Sequence, residues 1–368
     1  MEKKKPSIRE ILVFVVFIAV IGVFFVLNLT VPAPAILMSE RRLPAKLPEI
    51  SVKSIISGDF MSKFDNYAAD RFVFRDTFRS IRAFTVYDIY MQTDKSGLYR
   101  TDSVGAGEFK RIDETSFKQT AERIKKAAES MDAYDMNVYY SVIPDKSVFA
   151  GRYMPGFDLS AAEAILFDVF GDYTYIALSD KLGAGCFYKT DIHWNQPKVL
   201  GAASHILSSM GVNPNMDGFQ EKRAGGFRGV YAGQVALPMD ADIMDYLELP
   251  GLTVSYLSEK TLEFEPGPVY DTALFAGGDP YDLFLRGTQP LIVLENDAAP
   301  ERELYLFRDS FGSSLAPLLA ASYSRVTVID LRYIHLSLLD QFIEFKPGSD
   351  VLFIYSSQIF NNPSILQV

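Results

Sequence analysis

The chain has three histidines, and His193 alone has a carboxylate placed to make it a base. It lies in TDIHW, two residues after Asp191. An aspartate at that spacing can accept the Nδ1–H of the imidazole, fix its tautomer and leave Nε2 free to take a hydroxyl proton. On an extended segment, residues two apart also share a face. The pair alone is common by chance. His205 falls on a helical stretch and His335 at the start of another, where packing or surface roles suffice. A base needs a nucleophile, and Ser310 in FRDSFGSS sits at a strand-to-helix turn. Gly312 can relax the backbone there, and the first N–H groups of the helix can stabilise an oxyanion. The competing role is structural, since Asp309, Ser310 and Ser313 can cap the following helix. As a set, Ser310, His193 and Asp191 supply the nucleophile, base and orienting carboxylate of serine acyl chemistry.

Elements that could position these residues follow from periodicity. Thr115 to Ala133 is helical and Asn137 to Ile143 (NVYYSVI) a buried strand; Ala161 to Phe170 is helical and Tyr173 to Leu178 a strand. Toward the C-terminus come a strand at Leu304 to Phe307, a helix at Ser313 to Ser322, a strand at Val326 to Asp330, a helix at Leu336 to Phe345 and a strand at Asp350 to Tyr355. Strands alternating with helices require crossovers, and hence a parallel sheet covered on both faces. The expected fold is α/β, an αβα sandwich with a parallel central sheet, in which sites gather at the carboxyl ends of strands. Ser310 lies at such an end. The stretch 215–300, rich in glycine, proline and short apolar runs, reads as a β-rich insertion.

The N-terminus is of another kind. Ile11 to Leu29 is apolar except for Gly22 and Asn28, close to the ~20 residues that cross a bilayer as helix. Lys3, Lys4, Lys5 and Arg9 precede it and, by the positive-inside rule, hold the N-terminus in the cytoplasm. This predicts a single-pass anchor over 1–30, a proline-containing stalk over 31–49 and an extracytoplasmic domain over 50–368. A cleaved secretory signal is the alternative, with small residues at Ala33 and Ala35. Residues 51–90 read as amphipathic helices whose aromatics, Phe60, Phe64, Tyr67, Phe72, Phe74 and Phe78, are expected to pack in a core; a role at a membrane surface is the alternative.

Composition narrows the partners. A formal charge of -10 repels nucleic acid. One cysteine, Cys186, allows neither an intramolecular disulfide nor a thiolate metal cluster. No metal site and no cofactor are implied, because acidic residues are scattered and histidines few. AGGDP at Ala276 to Pro280 lacks the lysine and hydroxyl of a phosphate loop.

At DNYAADRFVFRD, IPDK, YKTDIHW, FRGVYAG, ALFAGGDP and RDSFG the chain resembles the DHHW proteins, relatives of the alginate O-acetyltransferases within the SGNH-hydrolase-like superfamily. The resemblance covers most of residues 40–360 and implies Asp191, His193 and Ser310 as a triad, with the Asp-x-His element before the serine. Two positions depart from the pattern. DHHW is Asp-Ile-His-Trp here, and Arg308 stands where the acetyltransferases have glycine, from which it is expected either to alter the turn or to reach toward an acidic substrate; Trp194 is a second candidate substrate contact. The resemblance implies acyl, most simply acetyl, transfer to or removal from a cell-envelope or secreted polysaccharide, with a separate multispanning membrane protein as acyl donor. The rival expectation is a non-catalytic carbohydrate-binding or scaffold protein that keeps the fold.

Overall fold

The computed structural model describes residues 7–37, 40, 42–151 and 154–368; Lys3, Lys4 and Lys5 lie outside the described residues. Two compact units make up the chain, Met1–Gln92 and Thr93–Val368.

In the first unit the apolar run forms one helix, Ile8–Thr30, opened by a capping box between Ser7 and Glu10 and burying none of its residues. Among the described residues it is the helix long and apolar enough to cross a membrane. Three short helices follow, Val52–Ile56, Asp59–Arg71 and Arg75–Phe84, and a π turn closes the series at Thr85–Ile89. Their charged side is tied to the preceding segment: Asp70 takes a bidentate contact from Arg42 at 2.7 Å, and Glu40 meets Arg75 and Arg79. The aromatics correct an expectation. Phe64, Phe72, Phe74 and Phe78 are exposed, because the polar side of these helices turns into that ion-pair network and leaves the apolar side bare.

The second unit is built on an eight-stranded sheet. Its order is Thr174–Tyr175, Asn137–Ile143, Asp350–Ser356, Glu303–Arg308, Arg325–Ile329, Leu291–Glu295, Thr253–Leu257 and Phe264–Gly267. The first five are parallel and the last three add on antiparallel. The stretch 215–300 thus contributes twice. Thr253–Leu257, Phe264–Gly267 and Leu291–Glu295 extend the central sheet, whereas Gln220–Phe227 and Asp242–Glu248 form a separate antiparallel ribbon.

Interior strands read as unbroken apolar runs because both faces are covered. Along Glu303–Arg308, Leu304 and Leu306 enter one core with the helices Leu200–Ser209 and Phe311–Leu319. Tyr305 and Phe307 enter the other, with Glu114–Asp132 and Leu159–Phe170. Glu114–Asp132 starts at Asp113, whose carboxylate accepts from Ser116 N–H, and buries Phe117, Ala121, Ile124 and Ala128 at helical spacing. The result is a three-layer α/β sandwich around a mostly parallel sheet, with a central strand ending at Arg308.

Candidate active site

Ser310 follows that strand at its carboxyl end and opens the helix Phe311–Leu319. The turn is fixed by its neighbour. Asp309 is buried and accepts from Phe311 N–H at 3.1 Å and from Ser356 N–H at 2.9 Å, so it both caps the helix and pins the turn to the adjacent strand. Ser310 makes no cap hydrogen bond with its side chain. Its half-buried hydroxyl lies 2.8 Å from Nε2 of His193 instead.

His193 comes from a tight loop rather than a strand. Phe187 and Trp194 form an isolated antiparallel bridge, Tyr188 N–H donates to the His193 carbonyl at 3.1 Å, and residues 189–193 bend between them. Asp191 therefore reaches His193 by curling back, not by sharing the face of an extended segment. Its Oδ1 accepts from the His193 backbone N–H at 3.1 Å and lies 2.7 Å from Nδ1 of the ring. Its Oδ2 accepts from Val230 N–H at 3.2 Å. With Nδ1 protonated toward the carboxylate, Nε2 is the acceptor for the Ser310 hydroxyl.

The surroundings hold this geometry. Thr190 donates its hydroxyl to Asp242 at 2.6 Å, and Gly229 N–H donates to the Thr190 hydroxyl at 2.8 Å. Gly229 lies so close that a Cβ there would overlap the Asp191 side chain and the Thr190 carbonyl. Lys146 is buried and donates from Nζ to the carbonyls of Asp191 and Tyr188 at 2.8 and 3.1 Å. Desolvation pushes its ammonium down to about 8, with nearby Asp191 resisting the shift. Tyr281 stacks on the His193 ring, centroids 3.7 Å apart and planes 7° from parallel, and donates its hydroxyl to Ser314 at 2.7 Å. Among the described residues no group of three His, Cys, Asp or Glu is arranged to hold a metal ion.

The structure thus brings Asp191, His193 and Ser310 together and places the other two candidates elsewhere. Arg308 does not reach a substrate. It is fully buried beneath the turn, its Nη1 3.1 Å from Asp330, because the last residue of an interior strand points into the packed layer. Gly312 makes room for it: a Cβ would collide with the Arg308 stem, so this glycine supplies space rather than backbone freedom. Trp194 is also fully buried, donating its indole N–H to the Phe311 carbonyl and the Ser314 hydroxyl, and presents no surface to a ligand. His205 lies on the helix Leu200–Ser209, and His335 accepts from Ser337 N–H, each away from this cluster of contacts.

Sequence reasoning missed Tyr281, Gly229 as a contact of Asp191, and Lys146 as a support. Only the clustering of FRGVYAG and IPDK with the Asp-x-His element hinted at the last two.

No family model matches the chain, and no curated protein does. Solved structures do. A DHHW family protein from Eubacterium siraeum superposes with TM-score 0.58 at 17% identity, over 73% of this chain and 93% of that one. PatB1 from Bacillus cereus, in a structure with a sulfonyl adduct, gives 0.57 at 16% identity, over 71% and 94%. The O-acetyltransferase domain of AlgJ from Pseudomonas putida aligns at 0.43 and 12% identity, over 73% and 92%, too distantly to carry an inference. By fold, therefore, this chain stands with the DHHW family protein of Eubacterium siraeum and with PatB1 of Bacillus cereus.

Proposed function

We propose that this protein is a membrane-anchored acyltransferase or esterase that moves acetyl groups on a cell-envelope or secreted polysaccharide through a covalent Ser310 intermediate. The observation that carries the reading is the relay from Asp191 to His193 to Ser310, at 2.7 and 2.8 Å. Ser310 Oγ attacks the acyl carbonyl as His193 Nε2 takes its proton; Ser310 sits at the N-terminal, positive end of the helix Phe311–Leu319, which favours the developing oxyanion. The imidazolium, steadied by Asp191, then protonates the departing donor group, leaving acyl-Ser310. A sugar hydroxyl or water, deprotonated by the same Nε2, attacks the ester and restores the serine. The resemblance to DHHW proteins supports polysaccharide as the acceptor, and PatB1 of similar fold carries a sulfonyl adduct, a modification that an activated serine accepts. The apolar helix Ile8–Thr30 supports the anchor.

Turnover of an activated acetyl ester tests the proposal. Ser310→Ala and His193→Ala should each abolish most of it, with the double variant no worse than either, whereas His205→Ala should retain it. Equal damage from His205→Ala and His193→Ala would remove His193 as the base.

A further inference from the structure

The first unit exposes apolar surface on a scale the second does not. Between Ile50 and Met91 fourteen large apolar side chains are exposed, against five among the described residues of Thr93–Val368. They are ordered. On Arg75–Phe84, Phe78, Ile81 and Phe84 follow Phe74 at helical spacing, all at least 45% exposed, while Arg75 and Arg79 leave by the opposite side into the Glu40 network. Surface of this kind needs a partner.

The helix Ile8–Thr30 shows what that partner is. Phe24, inside its apolar run, stacks on Phe72 at 5.8 Å and lies 5.8 Å from Phe78. Four residues on, Asn28 accepts from Val73 N–H at 3.0 Å. These contacts fix the depth of the short helices against the long one. As helix, Ile11 to Leu29 extends about 28 Å, nearly the ~30 Å of a bilayer's hydrocarbon core. The whole run is needed to cross, so Phe24, about 7 Å from its outer end, lies within the acyl chains. Side chains packed at its level share that depth, and interfacial amphipathic helices sink ~5–10 Å. Charge favours acyl chains over anionic headgroups as the contact: residues 50–91 carry acidic and basic side chains in near balance, and Arg75 and Arg79 are already paired with Glu40.

We propose that Val52–Ile56, Asp59–Arg71 and Arg75–Phe84 form an interfacial collar, with Phe74, Phe78, Ile81 and Phe84 buried in the lipid leaflet on the domain's side. The collar rests on the anchor reading of Ile8–Thr30. It gives the chain a second, non-spanning grip on the membrane and ties the outer end of the anchor to the surface through Phe24 and Asn28.

The test uses the full chain in phosphatidylcholine nanodiscs with Cys186→Ser, and single cysteines Phe78→Cys, Ile81→Cys, Leu262→Cys and Val16→Cys carrying a fluorophore. Lipid brominated near the headgroup end of its chains should roughly halve emission at Phe78→Cys and Ile81→Cys. It should leave Leu262→Cys, exposed in the other unit, unchanged. Val16→Cys should respond to bromine deeper in the chains. Quenching at Val16→Cys without quenching at Phe78→Cys or Ile81→Cys overturns the collar alone and marks that face as one for a protein partner. Loss of quenching at all three overturns the anchor and the collar together.

Discussion

The indole N–H of Trp194 donates to the Phe311 carbonyl at 3.1 Å, fastening the residue after the imidazole to the residue after the hydroxyl. The same N–H lies 2.8 Å from the Ser314 hydroxyl, one turn into the helix, which in turn takes the proton of Tyr281, the ring stacked on His193. The loop bearing the base and the helix bearing the nucleophile are thereby registered to each other by buried hydrogen bonds, so that 2.8 Å separation does not depend on a bound substrate.

Trp194→Phe keeps most of the packing and removes this donor. The Ser314 hydroxyl still donates to the Phe311 carbonyl at 3.3 Å and accepts from Tyr281, so the loss is that of one buried hydrogen bond, ~0.5–1.5 kcal/mol, read as a lower urea midpoint. Acetyl-ester turnover should fall by about ten-fold or more through kcat, since the misalignment acts on the reacting atoms rather than on binding. Unchanged kcat in a destabilised variant would restrict Trp194 to packing.

Gly229→Ala drives a methyl group into Asp191 and the Thr190 carbonyl. Because a misplacement of ~1 Å can reduce the rate by about a hundred-fold, activity should approach that of Asp191→Asn. Gly183→Ala, where a Cβ meets nothing within 4 Å, should be silent. Crystal structures of both variants would show whether Asp191 has moved.

Lys146 sets a pH window for stability. Its folded-state value is about 8, below the ordinary 10.5 that the unfolded chain keeps. Between those values the unfolded state binds more protons, so this residue's contribution to stability rises with pH across the window. Lys146→Met has no such slope. Urea unfolding of both proteins from about pH 7 to about pH 10 should show wild type gaining on the variant by up to a few kcal/mol. A difference that stays constant with pH would mean that the ammonium is not destabilised by burial.

The sequence was legible where one periodic signal dominated. Asn137–Ile143 is found at its expected bounds, and Glu303–Arg308, Arg325–Ile329 and Asp350–Ser356 within a residue at either end, because strands buried on both faces are apolar throughout. Elsewhere the signal weakened: at the sheet edge, of Tyr173 to Leu178 only Thr174–Tyr175 pairs, and between two interior strands Leu336 to Phe345 forms a 3-10 turn over Leu336–Gln341 rather than an α-helix. The Asp191 to His193 pairing was legible because both residues lie in one loop, and Ser310 because the turn after a central strand is where sites collect. Arg308 and Trp194 misled for a shared reason. A charge or a large ring beside a reactive residue looks like a substrate contact in one dimension, and only the packing shows that both point beneath the site. Tyr281 left no local trace, since its role is defined by a ring on a distant segment. The exposed face from Phe74 to Phe84 was misread because helical spacing shows that a face is apolar without showing what covers it.

The central claim is that Ser310 is a nucleophile activated by His193, and covalent labelling tests it most directly. Treated with a sulfonyl fluoride, digested and analysed by mass spectrometry, wild type should carry one sulfonyl group on the peptide containing Ser310. Ser310→Ala should carry none there, and His193→Ala should label at least about a hundred-fold more slowly. Folded wild type that resists labelling, or His193→Ala that labels at the wild-type rate, would contradict the account.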